Sequence, residues 1–154
     1  MAVDDTDRRI VNALLSDGRA SAREIASETG LAATTVSKRL SDLEEREIIE
    51  SYRPVIDYDR LGYDVTAVFH LSVDGNGLET VVDRLRDHER MVSVYEVTGS
   101  HDVVAVGKFE DTDEMNRKIK DLLTDPDVEA ANTSVVLDVV RENTQFPVGL
   151  DAED

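Results

Sequence analysis

Three short helix patterns crowd into the first third of this chain, each with its own start or stop signal, and nothing else in the sequence limits the fold so tightly. Ile10, Val11, Leu14 and Leu15 recur at helical spacing. They follow Asp4-Asp5-Thr6-Asp7, whose negative charge suits the positive end of a helix dipole. Gly18 is placed to end that helix in the left-handed region. Ser21 and Glu24 then form a capping box, in which a hydroxyl and a carboxylate satisfy early helix amides reciprocally. The helix they open turns Ile25 and Ala26 inward and stops at Thr29-Gly30. About three residues later a third helix begins, with Val36, Leu40 and Leu43 on one face. A short helix, a tight glycine-containing turn and a second amphipathic helix make a helix-turn-helix signature.

Burying Val36, Leu40 and Leu43 leaves Thr34, Thr35, Ser37, Lys38 and Arg39 on the outward, N-terminal part of the third helix. Short hydroxyls and two cations there suit base edges and phosphates, because the start of a recognition helix enters the major groove. The same residue types are ordinary on any solvated helix face. Three correctly spaced, capped helices turn the reading towards DNA. Ile48-Ile49 and Glu50–Tyr52 then read as an extended segment that begins a wing or a linker strand.

The second part alternates in another way. Val65, Ala67, Phe69, Leu71 and Val73 interleave with Thr66, Val68, His70 and Ser72, which predicts a strand. Asp74-Gly75-Asn76-Gly77 breaks it, and Leu78, Val81, Val82 and Leu85 form a helical stripe. Strands follow over Met91–Val97 and Val103–Phe109, joined by the turn Thr98–Asp102. Asp111 to Glu114 can cap a helix bearing Met115, Ile119, Leu122 and Leu123, and a last strand is expected from Ala130 to Val140. The order β-α-β-β-α-β is ferredoxin-like. Two helices cover only one face of such a sheet. Yet the last strand carries Val136 and Val140 opposite Val135, Leu137 and Val139, so a second copy is expected on the free face. The fold class is therefore α+β: a winged helix-turn-helix over residues 1–53, a linker strand over 54–62, a ferredoxin-like domain over 63–142 with dimeric sheet packing, and a loosely structured tail over 143–154.

Charge bears on partners. The chain holds 34 Asp and Glu against 17 Lys and Arg, a net of −17, where a DNA-binding surface is normally basic. The acidity is uneven: residues 1–53 hold 8 basic and 11 acidic side chains, and residues 54–154 hold 9 and 23. Of the cations 13 are Arg and only 4 Lys. An acidic, lysine-poor surface suits a cytoplasm of molar salt, where repulsion is screened within a few ångströms and carboxylates maintain solubility. No apolar run approaches the roughly 18 residues of a membrane helix, the acidic N-terminus is unlike a signal peptide, and there is no cysteine. A cytoplasmic protein without disulfides or thiolate metal sites is expected.

These features together resemble the leucine-responsive and asparagine-regulator (Lrp/AsnC, feast/famine) family of prokaryotic transcription regulators. The resemblance covers nearly all of residues 4–141. It is carried by Asp4–Arg19, Glu24-Ile-Ala with Gly30-Leu31, Thr35-Val36-x-x-Arg39-Leu40-x-x-Leu43-Glu44, Val97-Thr98-Gly99-Ser100-His101-Asp102, and Thr133–Leu137. It implies a homodimer, often assembled into octamers, on pseudo-palindromic double-stranded DNA operators. It also implies an amino acid or related effector between dimers, beside the Gly-x-x-Asp turn. By motif, Gly99, Ser100, His101, Asp102 and Thr133 are the effector candidates, and Arg39 matches the family's recognition-helix arginine. Three positions depart from the pattern. Ala32 replaces the serine that caps the recognition helix, leaving its early amides to Thr34 or solvent. Glu47 stands where a glycine is usual, and Ser41 and Asp42 replace frequent basic residues.

Other chemistries find less support. His70, His88 and His101 fall in a strand, a helix end and a turn, with no cysteine beside them, so no metal site is expected. Ser100-His101-Asp102 are adjacent in a turn, whereas a triad is assembled from separated segments. No phosphate-binding glycine loop or distinct carboxylate pair is present, and no cofactor is expected. The rival classes are an effector-independent dimeric module whose helix-turn-helix docks DNA or protein, and a small ferredoxin-like enzyme with an appended DNA-binding part. Lys38 and Arg39 beside three hydroxyls argue against protein docking, and the missing catalytic constellation argues against the enzyme.

Overall fold

A computed structural model describes residues 2–149; Met1 and the end of the tail, 150–154, lie outside the described residues. The described residues divide into two compact units, one made of residues 2–55 and 141–149 and the other of 56–140.

The first unit is built on α1 (Asp5–Ser16), α2 (Ala22–Thr29) and α3 (Ala33–Glu45). Asp4 and Asp7 make a capping box at the start of α1, and Ser21 and Glu24 make one at the start of α2. Gly30 closes α2 at φ +73°, a left-handed conformation that costs glycine no Cβ clash. Gly18 does not do the same for α1. The cap there is Asp17 in extended conformation, and its carboxylate takes the Arg19 amide at 2.9 Å while its carbonyl takes the Ala20 amide at 3.1 Å. An aspartate turn thus replaces the glycine cap. Ile10, Ala13, Ile25, Val36 and Leu43 form the buried core of this unit, with Leu40 half-buried against it. Burying each of the larger ones contributes about 1.5–3 kcal/mol.

Past α3 the backbone turns through Glu47 at φ +56°. The Ile48 amide reaches the Leu43 carbonyl at 2.9 Å and the Glu47 amide reaches Glu44 at 3.0 Å, the paired bonds of a Schellman cap. Residues 51–57 follow as exposed chain with no strand assigned, then a 3-10 turn over Asp59–Leu61. The expected linker strand over 54–62 is therefore replaced by a turn, held by Gly62 at φ +87° and an edge-on contact of Tyr58 with Tyr63.

The second unit has the order β1 (Val65–Val73), α4 (Leu78–Arg86), β2 (Met91–Glu96), β3 (Val103–Phe109), α5 (Thr112–Leu123) and β4 (Val128–Val135). The antiparallel sheet runs β2-β3-β1-β4, the ferredoxin-like order. Ala67, Phe69, Leu71 and Val73 of β1 alternate onto the face that packs against Val81 and Leu85 of α4 and Met115, Ile119 and Leu122 of α5. Phe69 and Phe109 meet edge to face at 6.2 Å within that core. Asp111 caps α5, and Glu114 accepts the Glu110 amide at 2.7 Å and Arg90 at 2.5 Å. The Arg90 guanidinium lies 4.8 Å above the Tyr63 ring, tying the entry of β1 to that of α5.

β4 ends sooner than the alternation of its residues implies. Ala67 pairs with Val135, and Val136 adds one amide bond to Thr66 at 2.8 Å. β1 begins at Val65, so the ladder runs out of partner there, and Leu137, Val139 and Val140 continue as exposed chain.

Candidate functional site

α3 presents Thr34, Thr35, Ser37 and Lys38 to solvent. Thr34, Ser37, Lys38 and Ser41 follow the three- and four-residue spacing of a single helix face. A concavity lined by Ser21, Ala22, Arg23, Ala33, Thr34 and Ser37 opens between the starts of α2 and α3. Arg23, exposed on its rim, is a cation that reading the helices one by one did not single out. The signal that reveals it is tertiary, because it sits on α2 and joins the α3 face only once the helices pack. Ala32 makes no side-chain cap to α3, as its chemistry requires, and no cap from Thr34 appears either. The early amides of α3 are thus left open towards the same surface, where an anion is favoured.

Arg39 is not displayed with its neighbours. Its Nη1 lies 2.9 Å from Asp4 Oδ2 and 3.3 Å from Asp7 Oδ1, and its side chain is 28% exposed. The Asp7 carboxylate is buried. Each carboxylate also accepts the other's backbone amide, Asp7 N to Asp4 Oδ1 at 2.9 Å and Asp4 N to Asp7 Oδ2 at 3.2 Å. The Asp7 amide, helped by Arg39 against the cost of burial, holds the Asp4 carboxyl below its ordinary value. The outward face thus keeps four of the five expected residues, and the fifth is engaged in an ion-paired network.

The turn after β2 carries Gly99 at φ +115°, a conformation open to glycine and strained for other residues. Asp102 anchors it: its amide donates to Leu71 at 2.8 Å, its carboxylate Oδ2 accepts Val73 N at 2.8 Å, and its carbonyl accepts Val97 N at 2.9 Å. Among the described residues no hydrogen bond is made to its other carboxylate oxygen. Ser100 Oγ lies 3.2 Å from Nδ1 of His101, and the His101 and His70 rings approach to 5.3 Å. That histidine pairing, between a strand and a turn far apart in sequence, was not visible in the linear pattern. Among the described residues no group of three or more metal-ligating side chains forms. Thr133 of β4 pairs with Phe69 of β1, and among the described residues the turn's hydrogen bonds run to β1 and not to Thr133. Gly99, Ser100, His101 and Asp102 share this one turn, and among the described residues no hydrogen bond joins Thr133 to it.

Three packed helices, the first two with capping boxes, followed by a ferredoxin-like sheet define a helix-turn-helix regulator with an appended sensor-type domain. Comparison with known proteins agrees. Residues 3–50 match the winged helix-turn-helix DNA-binding family, and residues 66–146 match the Lrp/AsnC ligand binding domain. The chain belongs to the Lrp/AsnC family of transcription regulators, a family of DNA-binding proteins and not of enzymes. It is 36% identical over 141 residues to an uncharacterised HTH-type transcriptional regulator of Pyrococcus abyssi, covering 92% of this chain and 96% of that one. It is 32% identical over 148 residues to the regulator FL11 of the same organism, covering 96% and 98%. Among solved structures it is similar to the feast or famine regulatory protein of M. tuberculosis complexed with L-methionine, with TM-score 0.87, 25% identity and coverage of 96% and 100%. E. coli AsnC shares the fold, with TM-score 0.85 at 20% identity, over 94% and 99% of the two chains. No helix among the described residues is long and apolar enough to cross a membrane.

Proposed function

We propose that this regulator reads pseudo-palindromic duplex operators as a homodimer and that an amino acid controls it. The observation that carries the reading is the exposed face of α3, with Thr34, Thr35, Ser37 and Lys38 free beside the concavity at Arg23. Hydroxyls at the start of a recognition helix meet base edges, while Lys38 and Arg23 meet phosphates that fix the register. Dimerisation is supported by the sheet: Val68, Val104 and Val106 are only half-buried on its helix-free face, and Tyr95 is 56% exposed. Apolar surface of that kind wants a partner, and twofold symmetry would match an inverted repeat. Further assembly, up to an octamer, would bring a second dimer to the turn.

The effector reading places a ligand at Gly99, Ser100, His101 and Asp102. The free Asp102 oxygen would accept from an α-ammonium group, and backbone amides near Gly99 would receive a carboxylate. Thr133, which no hydrogen bond joins to the turn among the described residues, would join from a neighbouring copy. The relative from M. tuberculosis carries L-methionine, which supports an amino acid as the class. The acid-rich, lysine-poor composition supports work in the cytoplasm of a halophilic cell.

The test is operator selection from random duplexes, followed by calorimetry against the common amino acids. Ser37→Ala should change base preference by about 1–3 kcal/mol at one position of each half-site. One amino acid should bind, and Asp102→Asn, which preserves an acceptor for Val73, should weaken it. No enriched inverted repeat would end the operator reading; no amino-acid heat, or an unaffected Asp102→Asn, would end the effector reading.

A further inference from the structure

Arg39 follows Lys38 on the recognition helix and lies one turn beyond Thr35, where a phosphate contact is the obvious role. Its surroundings argue otherwise. Nη1 is shared by the carboxylates of Asp4 and Asp7, the two residues that cap α1. The network uses all four carboxylate oxygens: Oδ1 of Asp4 and Oδ2 of Asp7 take backbone amides, and the other two take the guanidinium. Asp7 is 1% exposed. A phosphate would have to draw the guanidinium away from two carboxylates and leave a buried one unpaired, which is costly.

The need for such a link is visible in α3. Its N-cap is Ala32, with no side-chain bond to the helix start. α3 therefore lacks the polar fixture that Asp4 gives α1 and Ser21 gives α2. Apolar packing through Val36 and Leu43 sets its depth but slides more easily than a directional ion pair.

We propose that Arg39 is a positioning residue, locking the recognition helix to the cap of α1, and that it makes no contact with DNA. This rests on the DNA-binding reading of α3 given above. Contact and clamp predict opposite signs. A phosphate contact releases counterions, and its loss lowers the slope of log K against log salt by about 0.9. A clamp contributes no such release. Removing a carboxylate would free a contacting arginine and tighten binding, but it would loosen a clamped helix and weaken binding.

The experiment measures operator affinity of the full chain across a KCl series, with thermal melts in parallel. Arg39→Ala is expected to lose about tenfold or more in affinity with an unchanged salt slope, whereas Lys38→Ala lowers the slope by about 0.9. Asp4→Asn, at a carboxylate 46% exposed and so tolerant of change, is expected to weaken binding although it removes negative charge. Glu28→Gln, the same charge change on the exposed side of α2, should tighten it slightly. Asp4→Asn added to Arg39→Ala should weaken no further, and Arg39→Lys should recover part of the loss. A lowered slope in Arg39→Ala, or tighter binding in Asp4→Asn than in Glu28→Gln, would overturn the clamp while leaving the DNA reading intact. If Lys38→Ala and Arg39→Ala were both silent, the recognition-helix reading would fall and the clamp with it. Asp4→Asn keeps the question decidable where Arg39→Ala fails to fold.

Discussion

Single residues here repay attention to backbone and charge together. Glu47 keeps a left-handed conformation at φ +56° in a Schellman cap that normally takes glycine. The cap survives because two main-chain bonds and the packing of Ile49 hold it, so the strain is local. Glu47→Gly is expected to stabilise the first unit by about 1 kcal/mol, since the left-handed penalty for a residue with Cβ is roughly that size. Denaturant unfolding of the full chain checks it, and a loss of stability would show that the Glu47 side chain contributes more than its backbone costs. Glu114 illustrates the charge side. The Glu110 amide, followed by Arg90, holds its carboxyl below the ordinary glutamate value, against the opposing effect of burial. A depressed folded value gives stability that is full above the unfolded value of about 4.3 and is lost as pH falls through the folded one. Acid titration of the native chain should therefore show destabilisation below about pH 4 that is blunted in Glu114→Gln. Equal acid sensitivity in both would remove Glu114 from the list of groups that drive it.

At the scale of elements, what the sequence discloses is whatever depends on near neighbours. The Ser21–Glu24 box, the Asp111 cap and the Val103–Phe109 strand occur as their local patterns predict, because each is decided within a few residues. The end of β4 is decided by a partner. Val135 to Val140 alternate well enough to be a strand, but β1 starts at Val65, opposite Leu137, and offers no ladder beyond it. The α1 stop differs from its local pattern: Gly18 is placed to end the helix as a left-handed cap, but Asp17 ends it in extended conformation through an aspartate turn. The candidate site divides along the same line. Thr34, Thr35, Ser37 and Lys38 follow from helical periodicity, but the capture of Arg39 by Asp4 and Asp7 spans more than thirty residues and is settled by packing. The missing cap on α3 was readable and can be exploited. Ala32→Ser should add a bond to an early α3 amide and raise stability by about 1 kcal/mol. The melting temperature should rise, and an unchanged or lower value would mean that the Ala32 backbone cannot aim a hydroxyl at those amides.

The whole molecule has to reconcile DNA binding with a net charge of −17. The conflict is eased by distribution, since residues 1–53 carry a net of −3 and residues 54–154 a net of −14. In dilute salt the acidic unit still repels phosphate over a Debye length of about 10 Å at 0.1 M, and its own carboxylates repel one another. At 1 M that length is about 3 Å, so repulsion between units and DNA fades while direct hydrogen bonds from α3 persist. Counterion release acts in the opposite sense, favouring low salt, but Arg39 is tied to Asp4 and Asp7 and does not add to it. The balance predicts a salt slope far shallower than a basic regulator shows, flat or reversed in the dilute range, with operator binding retained above about 1 M KCl. The fold should follow, loosening at low salt as the acidic unit repels itself. Circular dichroism and operator titrations over one KCl series measure both. A stable fold and tight specific binding at about 0.1 M, both lost by about 2 M, would show that ordinary counterion release governs this protein and that its acidity is no adaptation to salt.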